Sequence, residues 1–465
     1  MERRGGRGHG RGGHGGKDVA ISKSLSWILR HGALELGLSI RTDGYVPIDE
    51  ILAAQRIKCN QSELQNECFI ELKVDFDMIK AIVASNDKQR FQLISEINEE
   101  GVEVHYIRAT QGHTIQTISN EELLTPIIDP FGFDEVIHGT YLKVFNLIME
   151  TGLNKMARNH IHMAPGMPTK KGVISGMRAS CEIVVEVNMA KAMYQGKVPF
   201  YISNNKVLLS PGIDGVLSSK YFRQVVDIKR HLMLYQAPLD YICVYDFECQ
   251  CEEGTKNLTF NEIIEFPVVV IDVKSMQIIG EFQTYVKPTI HPKLTEFCTK
   301  LTGIEQSQVD GGVPIKEAIQ QVHAFLEKLG VLQTEFVFLS CGDFDGNQIR
   351  REALHKQFNI PSYLKRWINI KKVFPLHLFD KSKPEQQIDF IKNVKKSTVS
   401  GMGELLKLSG LELEGRHHSG IDDARNIARC VVSSLEKGFQ YTQGMVLSHP
   451  FSLEKPEEQD EESKE

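Results

Sequence analysis

The sequence predicts an α/β and α+β multidomain protein, on three observations. The chain has 465 residues, room for about three domains at roughly 150 residues each. Its texture changes near His138, from short helices with isolated strand runs to mixed strand and helix. Beyond a junction near Lys229–Leu239, strands are followed by strand–helix units, the pattern of an α/β sheet. With 41% hydrophobic and 25% charged residues the composition is that of an ordinary folded protein. No apolar run reaches the roughly 18 residues a spanning helix needs. The basic, Gly-rich N-terminus has no apolar stretch behind it, so neither a membrane helix nor a secretory signal is expected.

Residues 1–17 are rich in Arg and Gly, cannot bury enough apolar surface to order themselves, and are expected as a disordered RGG-like tail. Residues 18–130 form a first lobe. Leu25, Ile28 and Leu29 have helical spacing within Ile21–His31. Gly44–Asp49 reads as a turn into a second helix, Ile79–Ser85 as a third, and Arg90–Leu93 as a strand. Residues 131–232 form a second lobe, with a helix over Thr140–Glu150 stopped by Gly152 and a strand over Cys181–Val187. Residues 240–440 form a third body. Strands are expected at Tyr241–Tyr245, Phe266–Val273, Gly280–Val286 and Phe336–Ser340, with helices over Pro314–Leu329 and Asp422–Leu435. Residues 446–465 are an acidic tail expected to be disordered.

Cys59, Cys68, Cys181, Cys243, Cys249, Cys251, Cys298, Cys341 and Cys430 are odd in number, scattered and without a C-x-x-C pair, which points to reduced thiols in cytoplasm or nucleus. The net charge of −6 means that nucleic-acid binding would rest on local patches.

The C-terminal body carries acids at element ends. Asp246 and Glu248 are two residues apart and share one face of a strand end, which suits a hard cation such as Mg²⁺. Asp343 and Asp345 follow the next strand, and His418 stands five positions before Asp423. Asp422 has a structural alternative, a capping box with Ser419. In-line attack on a phosphodiester needs carboxylates that hold two metal ions about 4 Å apart, with a base such as His beside the attacking water.

The N-terminal half carries cations instead. Arg30 and His31 end the first helix, where the dipole favours them. Arg90 lies in a second basic knot, and Gly112–Thr114 and His138–Thr140 are small polar turns. Arg178 sits in the Gly/Ser-rich stretch 172–180. A guanidinium offers a planar fork for phosphate. No carboxylate pair, metal-ligand spacing or G-x-G-x-x-G accompanies these residues, so a metal-free anion site is expected.

Two family resemblances rest on these residues. Residues 240–436 resemble the DEDDh 3′→5′ exonucleases, nearest to the Eri-1-like branch that trims histone mRNA, small RNA and ribosomal RNA ends. The likeness is carried by Asp246-Phe247-Glu248, Leu301-Thr302-Gly303-Ile304, Cys341–Asp345 and Gly415–Ala428. It implies an RNase H-like α/β fold in which Asp246, Glu248, Asp345 and Asp423 hold two Mg²⁺ or Mn²⁺ ions. It also implies His418 as general base, and Leu301, Thr302 and Gly303 around the RNA 3′ end. Asp343 competes with Asp345 and Asp422 with Asp423; the glycine–aromatic–acid pattern favours Asp345 and the His-to-Asp step favours Asp423. Cys249-Gln250-Cys251 departs from the small residue and Thr usual after the acidic pair.

Residues 20–230 resemble the RNA 2′-phosphotransferase (tRNA 2′-phosphotransferase) family, through Leu25–His31, Asp43–Tyr45, Asn86–Phe91, Arg108–His113, His138–Thr140, Arg158–His162 and Gly176–Arg178. The resemblance implies a winged-helix-like RNA-binding lobe and an ADP-ribosyltransferase-like NAD-binding lobe. Arg30, His31, Arg90 and Arg178 are the implied catalytic tetrad, with His138, Gly139, Thr140, Asn159, His162 and Arg178 on NAD. The implied chemistry moves an RNA 2′-phosphate to NAD, releasing nicotinamide and ADP-ribose 1″,2″-cyclic phosphate.

The expectation is a bifunctional RNA-processing enzyme acting on 2′-phosphorylated tRNA and on structured or single-stranded RNA 3′ ends, with no membrane or obligate protein partner. The alternatives are that one domain only recruits RNA, or that the N-terminal half ADP-ribosylates phosphorylated RNA ends.

Overall fold

Ile21 and Leu25 fall on one side of the first helix and are buried, and the rest of the N-terminal core gathers on them. In the computed structural model residues 14–54, 74–86, 88–167, 177, 180–254, 258–383 and 398–446 are described. Arg178, Gly172–Gly176, Cys59, Cys68 and nearly all of both expected tails lie outside them. The chain divides into two units of three stretches each: residues 1–128, 147–177 and 198–219, and residues 129–146, 178–197 and 220–465.

In the first unit the opening helix spans His14–Trp27, so it begins inside the segment expected as tail. It widens into a π turn over Ile28–Gly32 where an ordinary helix end was expected. Gly32 permits this, because a Cβ there would lie 2.5 Å from the Trp27 ring. Helices Ile48–Ala54 and Phe76–Ala84 follow, the latter capped by Asp75, which accepts from Met78 N at 2.9 Å. They pack Ile48, Ile51 and Ile79 on Ile107 of an antiparallel sheet ordered Val46–Pro47, Glu103–Ala109, Phe91–Ile97. A second sheet joins Thr125–Pro126, Tyr201–Ile202, Leu208–Ser210 and Ile161–Met163.

Two expectations need correction. Thr140 belongs to a strand, Ile137–Thr140, and the helix runs only over Phe145–Thr151. Gly139 and Thr140 are claimed by Val184 and Ile183 across the ladder. Gly152 does stop the helix, at φ 84°, with its N–H donated to Ile148 O. The junction expected at Lys229–Leu239 contains a strand, Leu232–Gln236, paired with Phe222–Asp227. It is an edge strand with little burial, so its apolar signal is weak.

The second unit holds two sheets. One is antiparallel, ordered Leu232–Gln236, Phe222–Asp227, Ile183–Val187, Ile137–Thr140. The other has parallel strands Tyr241–Val244, Phe336–Ser340 and Trp367–Asn369, with Ile263–Asp272 and Gln277–Tyr285 added antiparallel. Helices cover both faces, closing one core around Val268, Phe338 and Val322 and another around Ile242, Ile368 and Ala424. Pro267 lies in the long strand Ile263–Asp272, yet opposite the gap between Val244 and Glu248 where that side has no paired neighbour. Asp246 occupies that gap.

A buried ion cluster joins the two sheets. Glu186 is 0% exposed and takes Arg223 at 3.0 Å, Arg366 at 2.5 Å and Gln224 at 2.5 Å. Arg223 also reaches Glu335 at 3.3 Å, and Asn188 donates to Glu335 at 2.7 Å. Burial pushes the Glu186 carboxyl up, but Arg366 and Arg223 outweigh it and hold the group at about 2. Its stabilising contribution is therefore complete above the ordinary value of 4.5 and is lost as pH falls through about 2. Replacing Arg366 by Met is expected to cost about 3–5 kcal/mol, the scale for breaking a buried pair, read by urea unfolding near pH 7. Glu186→Gln should flatten the loss of stability between pH 4.5 and about 2; an unchanged acid limb would show that other carboxylates set it.

Candidate active sites

The π turn carries Arg30 and His31. Thr114 fixes them: its N–H donates to Arg30 O at 2.9 Å, and its hydroxyl lies 3.0 Å from His31 Nδ1. Gly112, at φ 92°, lets the Arg30 guanidinium pass, since a Cβ there would sit 3.3 Å from Arg30 Nε. Arg30 Nε and Nη2 are buried without a hydrogen-bond partner. Burial, then the charges of Arg90 and Arg158, lower the guanidinium to about 10. A cation that has lost its water and faces other cations is a receptor for an anion.

The histidines around it are neutral near pH 7. Burial and Arg30 lower His113 to about 3, burial and Arg158 lower His162 to about 3, and burial lowers His160 to about 4. His31 is lowered by burial, Arg30 and Arg158. His162 Nε2 lies 2.7 Å from Gln111 Oε1, and Asn159 donates to Ile115 O and accepts from Gln116. Asn159 and His162 thus brace the 111–116 loop that carries Gly112 and Thr114.

Of the residues expected on NAD, His138, Gly139 and Thr140 lie in the second unit, paired with Val185, Val184 and Ile183. The expected tetrad member Arg178 lies outside the described residues.

The second centre forms where Tyr241–Val244 and its neighbours end, beside a sixth, two-residue strand of that sheet, Glu248–Cys249. Ligand oxygens of Asp246, Glu248 and Asp423 lie within 4.8 Å of one another. Asp345 joins them through the backbone, accepting from Phe247 N at 2.8 Å. Asp343 is engaged elsewhere, by Lys372 at 2.8 Å and Asn369 at 2.9 Å. Asp422 is bound by Arg425 at 2.8 Å and by Arg416 N at 2.9 Å. Ser419 makes no side-chain cap, so the capping box does not form. Asp343 and Asp422 are thus held by other partners, while Asp423 lies beside Asp246 and Glu248 and Asp345 binds the backbone between them.

The acids are crowded. Burial, then Asp345 and Asp423, push Asp246 well above the carboxylate range. Burial and Glu265 raise Glu248 to about 9, and burial raises Asp345 to about 7 and Asp423 to about 6. Asp423 Oδ1 is buried without a partner. Such a set fits a divalent cation, which supplies the charge the carboxylates lack.

His418 stands beside it at φ 63°, with its N–H donated to Asp423 Oδ2 at 2.9 Å. Burial, His417 and Arg416 lower its imidazole. Arg416 lies over Gly303, where a Cβ would overlap its guanidinium, and donates to Lys300 O and to Leu301 O. Leu301–Gly303 is thereby tied to the histidine loop. Thr302 is buried, its hydroxyl donated to Cys298 O and accepting from Ile304 N, so it closes the helix end.

Three contributors escaped the sequence reading. Arg158 adds charge beside Arg30. Glu265 accepts from Gly420 N and Ile421 N at 3.1 Å, holding the start of the last helix on the sheet. Arg416 anchors Leu301–Gly303. Arg158 and Arg416 stand within the motifs that were read; Glu265 sits in a continuous apolar strand and gave no spacing signal.

An arginine pocket with unpaired donors and a crowded set of carboxylates beside a histidine make this a phosphate-processing enzyme with two centres. The model of the RNA 2′-phosphotransferase, Tpt1/KptA family matches residues 16–212, and that of the exonuclease family matches residues 243–431. tRNA 2′-phosphotransferase 1 of Danio rerio is 40% identical over 228 residues, 49% of this chain and 93% of that protein. The tRNA 2′-phosphotransferase of Saccharomyces cerevisiae is 38% identical over 207 residues, 44% of this chain and 83% of that protein.

3′-5′ exoribonuclease 1 of Rattus norvegicus is 35% identical over 202 residues, 43% of this chain and 54% of that protein. The chain thus spans about half the length of that exoribonuclease. The solved nuclease domain of 3′hExo, a DEDDh family member, bound to rAMP, is 32% identical, covering 44% of this chain and 98% of that one, at a TM-score of 0.38. The chain belongs to the RNA 2′-phosphotransferase, Tpt1/KptA family, and carries a DEDDh-type exonuclease domain fused behind it. Among the described residues no helix is long and apolar enough to cross a membrane.

Crowding makes a prediction about the metal-free protein. Glu248, raised to about 9, must take up a proton when the metal-free chain folds near pH 7, so Glu248→Gln is expected to raise stability in EDTA by about 1–2 kcal/mol, read as a higher melting temperature at pH 7 that fades as pH falls below 4.5. The same variant should lose most of the stabilisation that Mg²⁺ gives the parent. Equal stabilisation by Mg²⁺ in both would place the ion elsewhere.

Proposed function

We propose that the chain is a bifunctional RNA-processing enzyme, and that the charge pattern of its two centres divides the work. The first centre moves an internal RNA 2′-phosphate, such as one on tRNA, to NAD. The second trims RNA from its 3′ end with divalent metal. The observation that carries this reading is the pair of opposite electrostatic deficits: unpaired guanidinium donors at Arg30 and crowded carboxylates at Asp246, Glu248 and Asp423.

In the first centre Arg30, His31 and Arg90 hold the transferred phosphate, where fixed cations stabilise the charge of phosphoryl transfer. The family resemblance assigns Arg178 to the ADP-ribose side and His138, Gly139 and Thr140, which belong to the second unit, to NAD. Asn159 and His162 are assigned to NAD as well, and they brace the loop that shapes the phosphate pocket. The lobe of residues 18–130 is read as winged-helix-like and RNA-binding, and that of residues 131–232 as ADP-ribosyltransferase-like.

In the second centre Asp246, Glu248, Asp345 and Asp423 would hold two Mg²⁺ or Mn²⁺ ions, which when bound supply Lewis-acid stabilisation of the in-line displacement. His418, kept neutral near pH 7, takes the proton of the attacking water at its imidazole nitrogen. Leu301 and Gly303, fixed by Arg416, shape the seat of the 3′ nucleotide. We place its action in the cytoplasm or nucleus on the sequence's scattered, odd-numbered cysteines alone.

The test is one RNA with an internal 2′-phosphate, incubated with NAD in EDTA and, in parallel, with Mg²⁺. Nicotinamide release in EDTA, and 3′ trimming only with Mg²⁺, are the expected results. Silence in EDTA would remove the first activity, and the absence of trimming in Mg²⁺ the second. Arg30→Ala should lower nicotinamide release by about 10²–10³-fold while trimming continues at the parent rate.

A further inference from the structure

The loop before the last helix carries two histidines, and the nuclease reading uses one. His417 Nε2 lies 4.0 Å from Asp423 Oδ2. The His417 and His418 rings stack at 4.0 Å between centroids. Together His417, His418 and Asp423 present one ligand atom each within 4.8 Å of one another, a set separate from Asp246, Glu248 and Asp423 but sharing its aspartate.

The loop is held in place. Arg416 N donates to Asp422 Oδ2, Ser419 N to Arg416 O, and His418 N to Asp423 Oδ2. The His417 side chain is 55% exposed, so the set is reached from solvent, while Asp423 beneath it is buried. Two imidazoles and a carboxylate do not suit Mg²⁺, which prefers oxygen and water in octahedral geometry. They suit Zn²⁺, whose ligands stand ~3.3 Å apart in a tetrahedron with bonds of 2.0–2.1 Å. The two rings stack with 28° between their planes, so the imidazoles must turn out of that stack for both nitrogens to meet one ion, with water at the fourth position.

We propose that His417, His418 and Asp423 form an inhibitory Zn²⁺ site at the rim of the nuclease centre. The proposal rests on the reading of His418 and Asp423 as nuclease residues. A zinc ion there takes the base and one metal-holding carboxylate at once, stopping trimming without touching the phosphotransferase pocket. His417 is the residue that makes the site, and the nuclease reading gives it no step of its own.

The experiment titrates Zn²⁺ into the full chain in saturating Mg²⁺, for the parent and for His417→Ala, and follows both 3′ trimming and NAD-dependent nicotinamide release. Calorimetric titration with Zn²⁺ alone counts sites in each protein. His417→Ala is expected to keep Mg²⁺-dependent trimming without zinc and, with each protein referred to its own zinc-free rate, to need about tenfold more Zn²⁺ for half inhibition, and to bind one Zn²⁺ fewer. Nicotinamide release should be unaffected by zinc in both.

Equal inhibition of parent and variant with equal stoichiometry would overturn the proposal, because zinc would then act by replacing Mg²⁺ among Asp246, Glu248 and Asp423. If the parent does not trim in Mg²⁺ at all, the nuclease reading fails by itself. The calorimetric difference then decides the zinc site alone: one site fewer in the variant upholds it, and equal counts end it.

Discussion

The ion cluster of Glu186, Arg223, Arg366 and Glu335 is the constraint on which the second unit depends. Glu186 sits on Ile183–Val187, whose neighbouring strand carries His138, Gly139 and Thr140. Arg366 immediately precedes Trp367–Asn369, and Asn369 binds Asp343, the residue that opens the helix carrying Asp345. One set of buried charges thus holds a strand assigned to the phosphotransferase half and the frame of the nuclease acids. Desolvating four charges is costly, and only mutual pairing with further hydrogen bonds from Gln224 and Asn188 offsets it.

The two centres are electrostatic opposites built on one principle. At Arg30 the fold gathers cations and withdraws their water; at Asp246 it gathers carboxylates and does the same. Neither arrangement is favourable in the empty protein. Each is held by surroundings whose local rules are satisfied, and each becomes favourable when a ligand of opposite charge arrives. The histidines near Arg30 do not add to the charge, because burial and the arginines keep them neutral.

Much of this was legible in the sequence where chemistry and periodicity agreed. The acids Asp246, Glu248, Asp343, Asp345, Asp422 and Asp423 and the nearby His418 stood out by their places at element ends and one spacing, whereas their roles came only with the family resemblance; the central strands showed in their apolar runs. The family pattern favoured Asp345 over Asp343; that Lys372 and Asn369 bind Asp343 is a tertiary fact that no pattern carries. Thr140 was misread because a short strand and a helix start share its apolar neighbours. Leu232–Gln236 was missed because an edge strand needs little burial to persist. The π turn under Arg30 follows from Trp27 packing over Gly32, which no helical period reveals.

The interleaving of the two units has a consequence for synthesis. Three stretches of chain build each unit, so neither is complete when its first residues leave the ribosome. The strand Leu208–Ser210 must emerge before Ile161–Met163 finds its partner. Glu186 waits longer, for Arg366 lies 180 residues downstream. Until then the nascent protein carries a carboxylate whose burial has no counter-charge on that side, and the apolar strand around it stays without a finished core. Vectorial folding from the N-terminus, the usual route for proteins of several domains, can close the first unit once residue 219 is out, but is deferred for the second until most of the chain has been made.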